Sequence, residues 1–140
     1  MIISRVKQGL VYIFCRYKKS NDKIVKTILN EKEFEIFKNM SGYDKIHSFN
    51  LYNKVKEDEI LNKKEIYLKL ALLHDCGKKN YSLIRRVKKV LFGDRKLEKH
   101  SEESYEKLKN INLELAKKAR DHHKKNLSLE MEIFKKLDDK

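Results

Sequence analysis

Proline is missing from all 140 residues, and glycine occurs only four times. An all-β sandwich needs turn residues at roughly 8–12-residue spacing, and this chain does not have them. Apolar residues recur three and four positions apart instead, the period of an α-helix, so the expected fold class is all-α: one bundle of six to seven helices. The two cysteines, Cys15 and Cys76, are too few and too distant for a disulfide framework or a cysteine-based zinc site. A reducing, cytoplasmic location is the expectation. Long apolar runs are also absent. The longest uncharged stretch, Gln8 to Cys15, falls far short of the roughly 20 apolar residues that span a bilayer. It leads into no small-residue cleavage site, so neither a transmembrane segment nor a removed signal peptide is expected.

Acidic residues are in the minority, 21 against 34 Lys and Arg, for a net charge of +13. Such a surface favours anionic partners without choosing among nucleotides, nucleic acid and a membrane face. Lysine supplies most of the excess, 28 residues to 6 arginines, and a lysine-rich composition by itself names no ligand. The length suits one domain with a real core.

Along the chain, Met1 to Lys19 mixes Ile2, Ile3, Val6, Leu10, Val11, Ile13 and Phe14 with basic residues. That is the pattern of a basic amphipathic helix. It is expected to pack on the domain, with peripheral membrane contact as the alternative. Ser20 to Lys23 reads as a polar connection. Asn30 followed by Glu33 is a capping-box pair, with Phe34, Ile36 and Phe37 on the buried side of the helix it starts and Ser41–Gly42 ending that helix. A helix from about Asp44 to Lys54 follows, then a charged turn to Asp58. Glu65 to Leu73 is apolar nearly all round and should be the most buried helix, with Gly77 beyond its end. Further helices are expected over Ser82–Phe92, Glu98–Lys109, Leu113–His123 and from Ser128 onward.

The five histidines are His47, His74, His100, His122 and His123. Each falls in or beside a different expected helix, except the adjacent last two. His74 is followed by Asp75 at the end of the most apolar helix, and Asp138 lies late in the chain. Imidazole and carboxylate are the donors that hold first-row divalent ions while leaving positions open to water and phosphate. A lone helical histidine is ordinarily a surface or core residue, so the signal lies in the order: an early His, a His-Asp pair before Gly-Lys, further His, a late Asp.

From about Tyr43 to Asp139, centred on Ala71-Leu72-Leu73-His74-Asp75-Cys76-Gly77-Lys78, the sequence resembles the HD-domain superfamily of metal-dependent phosphohydrolases. The resemblance implies residues 41–140 as the HD domain and residues 1–40 as a helical extension packed on it. It implies that His47, His74, Asp75 and Asp138 hold one ion. A second ion, bridged through Asp75, would take His100 and one or both of His122 and His123, with His122 favoured. The cofactors would be two divalent ions, whether Fe, Mn, Mg, Zn, Ni or Co. Asp75 would be the catalytic residue that binds metal and orients the attacking water, while Lys78, Arg85 and Arg86 would meet the phosphate of an anionic substrate such as a nucleotide. Ser101 and Ser104 stand where relatives often carry Pro and Gly, and Cys76 replaces an aliphatic residue and is expected to be packed.

Two alternatives accompany this reading. One is a basic nucleic-acid-binding module with a structural or vestigial metal, although no recognition-helix, aromatic RNA-binding or zinc-knuckle pattern is present. The other is a diiron oxygenase, an activity that the resemblance also allows.

Overall fold

The computed structural model describes residues 17–77, 97–125 and 127–139, with residues 97–100 described by backbone alone. Among these residues there are seven α-helices and no strand: α1 Asp22–Ile28, α2 Glu31–Lys38, α3 Gly42–Glu57, α4 Glu65–Leu73, α5 Leu97–Leu108, α6 Leu113–Asp121 and α7 Leu129–Asp138. The all-α expectation holds. The expected Ser82–Phe92 helix and residues 1–16 lie outside the described residues, as do Lys78, Arg85 and Arg86.

Local chemistry explains where most helices begin. The Asn30 side chain accepts the Glu33 N–H at 2.9 Å, and the Glu33 carboxylate accepts the Asn30 N–H at 2.9 Å. This is the reciprocal capping box read from the sequence. Ser41, expected to end α2, instead starts α3: its Oγ accepts the Asp44 N–H at 3.1 Å. The same residue types favour both roles, and here the cap prevails. Asn112 and Ser128 cap α6 and α7 in the same way. Ser128→Ala should therefore lower stability by about 1 kcal/mol, read as a shift of the urea midpoint at unchanged slope.

The polar Ser20–Lys23 stretch is not a simple connection, because a 3₁₀ turn over Lys19–Asn21 runs into α1 at Asp22. Lys18 has extended backbone, so no N-terminal helix continues to Lys19. Tyr17 packs edge-on to Phe37 and Phe49, and its hydroxyl donates to Asp22 at 2.7 Å.

Helix α4 is the centre of the bundle. Tyr67, Leu70, Ala71, Leu72 and Leu73 are all buried, and α1, α2, α3 and α6 pack around the helix. Helix α5 pairs with α6, and α7 lies on α3. Phe37, Leu61, Leu108, Leu115 and Phe134 complete a continuous core. Each such side chain contributes about 1.5–3 kcal/mol by leaving water. The layout brings the ends of α4, α6 and α7 to one place beside α3.

Candidate metal centre

His47 lies in the second turn of α3, His74 caps the C-terminus of α4 with Asp75 next to it, His122 caps the C-terminus of α6, and Asp138 is the last residue of α7. These side chains converge. His47 Nε2 is 3.2 Å from Asp138 Oδ1 and 3.7 Å from Asp75 Oδ2. His74 Nε2 is 3.1 Å from Asp75 Oδ2 and 3.4 Å from Asp138 Oδ1. Ligand atoms of His47, His74 and Asp75 lie within 4.8 Å of one another, and so do those of His74, His122 and Asp138. Phe134, one turn before Asp138, places its ring edge-on to both His74 and His122 and closes the apolar side of the cluster.

Two buried imidazoles are oriented by the same device. His74 Nδ1–H donates to the Ala71 carbonyl at 3.0 Å, and His122 Nδ1–H donates to the Ala119 carbonyl at 2.6 Å. This hydrogen-bond pattern assigns the rings and turns both Nε2 atoms inward, the arrangement of metal-binding histidines whose other nitrogen is held by a backbone oxygen. Both Nε2 atoms are buried and form no hydrogen bond. His74 Nε2 instead faces the Asp75 and Asp138 carboxylates at ion-pair distance. The sequence does not mark this pairing, because the accepting carbonyls of Ala71 and Ala119 are backbone groups that every residue carries.

The electrostatics call for a cation. Burial alone would depress His74, yet the Asp75 and Asp138 carboxylates raise its pKa to about 10. Burial opposes the charge on Asp138 as well, and His74 and His47 nonetheless hold its carboxyl well below the usual range. His122 is pushed down to about 4, first by burial and then by the neighbouring His74 and His123, so it is neutral near pH 7 with its Nε2 lone pair available. Three helix C-termini, those of α4, α6 and α7, end here as well, and each presents the negative end of its backbone dipole. Buried nitrogens without hydrogen bonds, two carboxylates and a nitrogen–oxygen donor set fit a divalent ion.

The other candidates are placed as follows. His100 lies on α5, where the backbone alone is described. His123 is exposed, its ring centroid 3.8 Å from that of His122. Asp139 is exposed beyond the end of α7. Cys76 is packed in the core at 2% exposure, and burial raises its thiol to about 12, as suits a small apolar residue. Sequence reading did not assign a role to Ser104, whose hydroxyl bonds to the backbone of the His74–Gly77 turn.

A family model described as HD domain matches residues 46–139, more than half of the chain and every histidine and carboxylate considered above. The chain belongs to the HD-domain family. No curated protein and no solved structure matches it. The HD domain is a unit of metal-dependent hydrolases, and the His/Asp groups of this HD domain could hold metal. No helix among the described residues is long and apolar enough to cross a membrane.

Proposed function

We propose that this HD-domain protein is a metal-dependent phosphohydrolase that cleaves a phosphoester or phosphoanhydride bond of a nucleotide or related phosphorylated small molecule. The observation that carries the reading is the convergence of His47, His74, Asp75 and Asp138 within hydrogen-bonding or ion-pairing distance, beside the buried, unpartnered Nε2 of His122. Those first four residues would hold one divalent ion. Asp75 would bridge to a second, held with His100 and one or both of His122 and His123, His122 favoured, because a carboxylate can span two cations whereas a neutral imidazole gives one nitrogen to one metal. Residues 1–40 are taken as an extension packed on the HD domain of residues 41–140.

When bound, such ions polarise a phosphoryl oxygen and acidify water enough for it to attack phosphorus near neutral pH. The chain's own groups do the rest. Asp75, at the turn after α4, orients the water by accepting its proton-bearing edge. Ala71 and Ala119 fix the rings of His74 and His122 through their carbonyls, so ligand nitrogens need no reorganisation. Phe134 keeps one side of the cluster dry. Lys78, Arg85 and Arg86 are the proposed contacts to substrate phosphate, arginine offering a planar fork to two oxygens.

Purified protein incubated with Mn²⁺ and a panel of nucleotides should release phosphate or a nucleoside monophosphate, and Asp75→Ala should abolish the release. Salt-sensitive nucleic-acid binding that survives Asp75→Ala, with no hydrolysis of any nucleotide, would replace the enzyme reading with the binding-module one.

A further inference from the structure

The turn that carries the His74–Asp75 pair is held from outside by α5. Ser104 is fully buried, and its single oxygen makes two backbone contacts: Oγ–H donates to the His74 carbonyl at 3.2 Å, and Oγ accepts the Gly77 N–H at 2.9 Å. One turn further along α5, the Lys107 ammonium reaches back from the surface and donates to the Cys76 carbonyl at 2.9 Å. Asp75 lies between these anchored peptide groups.

We propose that Ser104 is a positioning residue of the metal centre, which, assisted by Lys107, clamps residues 74–77 so that the His74 ring and the Asp75 carboxylate face the ion together. The proposal rests on the metal-dependent reading above. Its physical basis is specific. The carbonyl preceding Asp75 and the amide two residues after it are tied to the same oxygen atom, so Asp75 cannot swing without breaking a buried hydrogen bond. Removing the hydroxyl leaves a buried carbonyl and amide without this partner, and the turn must shift to regain one. Small displacements matter here, because metal–ligand bonds tolerate only about ±0.2 Å.

The test compares Ser104→Thr with Ser104→Val, which have nearly the same shape and differ in the hydroxyl. Mn²⁺ alone is the probe, titrated against the full chain with free ion followed by electron paramagnetic resonance. Ser104→Val should weaken Mn²⁺ binding about 10–100-fold, the effect typical of groups that orient ligands, and the Gly77 amide should lose hydrogen-exchange protection. Ser104→Thr should restore both. Equal affinity in Val, Thr and wild type overturns the clamp while leaving the metal reading intact. A wild-type chain that binds no Mn²⁺ overturns the metal reading and the clamp with it. If neither position-104 variant folds by circular dichroism, Lys107→Met decides at an exposed position: weaker Mn²⁺ binding at an unchanged melting temperature supports the clamp, and unchanged affinity overturns it.

Discussion

Asp75→Ala is expected to lose both metal and activity, and by more than any other single change at the centre. Asp75 is 7% exposed and lies against both His47 and His74. Removing its carboxylate deletes a proposed ligand and half of the negative charge that Asp75 and Asp138 together present. Residues that only orient ligands typically cost 10–100-fold when replaced, so loss of the proposed bridging ligand should exceed about 100-fold in kcat/KM. Metal content of the isolated protein should fall in parallel. His100→Ala, which removes one imidazole from the second proposed ion, should spare the first and retain about half the metal. Comparable metal content in wild type and Asp75→Ala would sink the bridging assignment.

Glu33→Ala should be among the most destabilising changes in the described part of the chain, although Glu33 is remote in sequence from every ligand. Its side chain is fully buried. One carboxylate oxygen accepts the Asn30 N–H and the Lys69 ammonium, each at 2.9 Å, while the other accepts from the Asn112 side-chain amide at 3.3 Å. A single residue thus ties the start of α2 to the middle of α4 and the cap of α6. Breaking a buried ion pair from one side typically costs about 3–5 kcal/mol, because the remaining charge is stranded. Among the described residues, Lys69 retains only the longer contact to Glu65, at 3.8 Å. The double change Glu33→Met with Lys69→Met should cost less than Glu33→Ala, since it strands no charge.

Acid dependence provides a second readout. Burial pushes the Glu33 pKa upward, but the Asn30, Lys69 and Asn112 hydrogen bonds prevail and lower it below its ordinary value of 4.5. A carboxyl depressed in the folded state contributes stability that is fully present above its unfolded pKa and is lost as pH falls through the folded value. Wild-type stability should therefore decline below about pH 4.5, and Glu33→Gln should flatten that part of the profile. A Glu33→Ala denaturant midpoint equivalent to less than about 1 kcal/mol would show that the network carries little.

How much of this was legible in the sequence depended on whether the controlling interaction was local. Glu65–Leu73 emerged with the expected bounds because an apolar run has no other stable place than the centre of the bundle. The Asn30–Glu33 cap was legible because its partners are three residues apart. Helix α3 was underestimated at both ends. Ser41–Gly42 serves equally as a stop or a start, and the charged Lys54–Asp58 stretch hid Val55, which is fully buried and keeps the last turn helical. Helix α1 escaped because its buried residue, Val25, and the buried Leu29 just after it lie beyond a polar entry that resembled a loop.

At the centre, the histidines and carboxylates that converge could be read as candidates, but the groups that orient them could not. Backbone carbonyls and a serine acting on backbone leave no distinctive mark in residue identities. Glu33 was visible as a cap, whereas its partners Lys69 and Asn112 lie 36 and 79 positions away. Only folding brings them together.

The meeting of three helix C-termini around Asp75 and Asp138 also bears on the order of events in the proposed reaction. Without a bound ion, His74, charged between Asp75 and Asp138, only partly offsets the two carboxylates and the negative ends of three backbone dipoles, a balance that disfavours phosphate. The net charge of +13 would favour an anionic substrate near the surface, but not beside Asp75 and Asp138 until their charge is neutralised. For the proposed phosphohydrolase, ordered addition is the expected outcome, ion before phosphate, as initial rates with the two varied in turn would check. Free phosphate should then compete poorly for the metal-free protein, and a basic surface that would recruit the proposed anionic substrate would not by itself carry it into a centre without its ion.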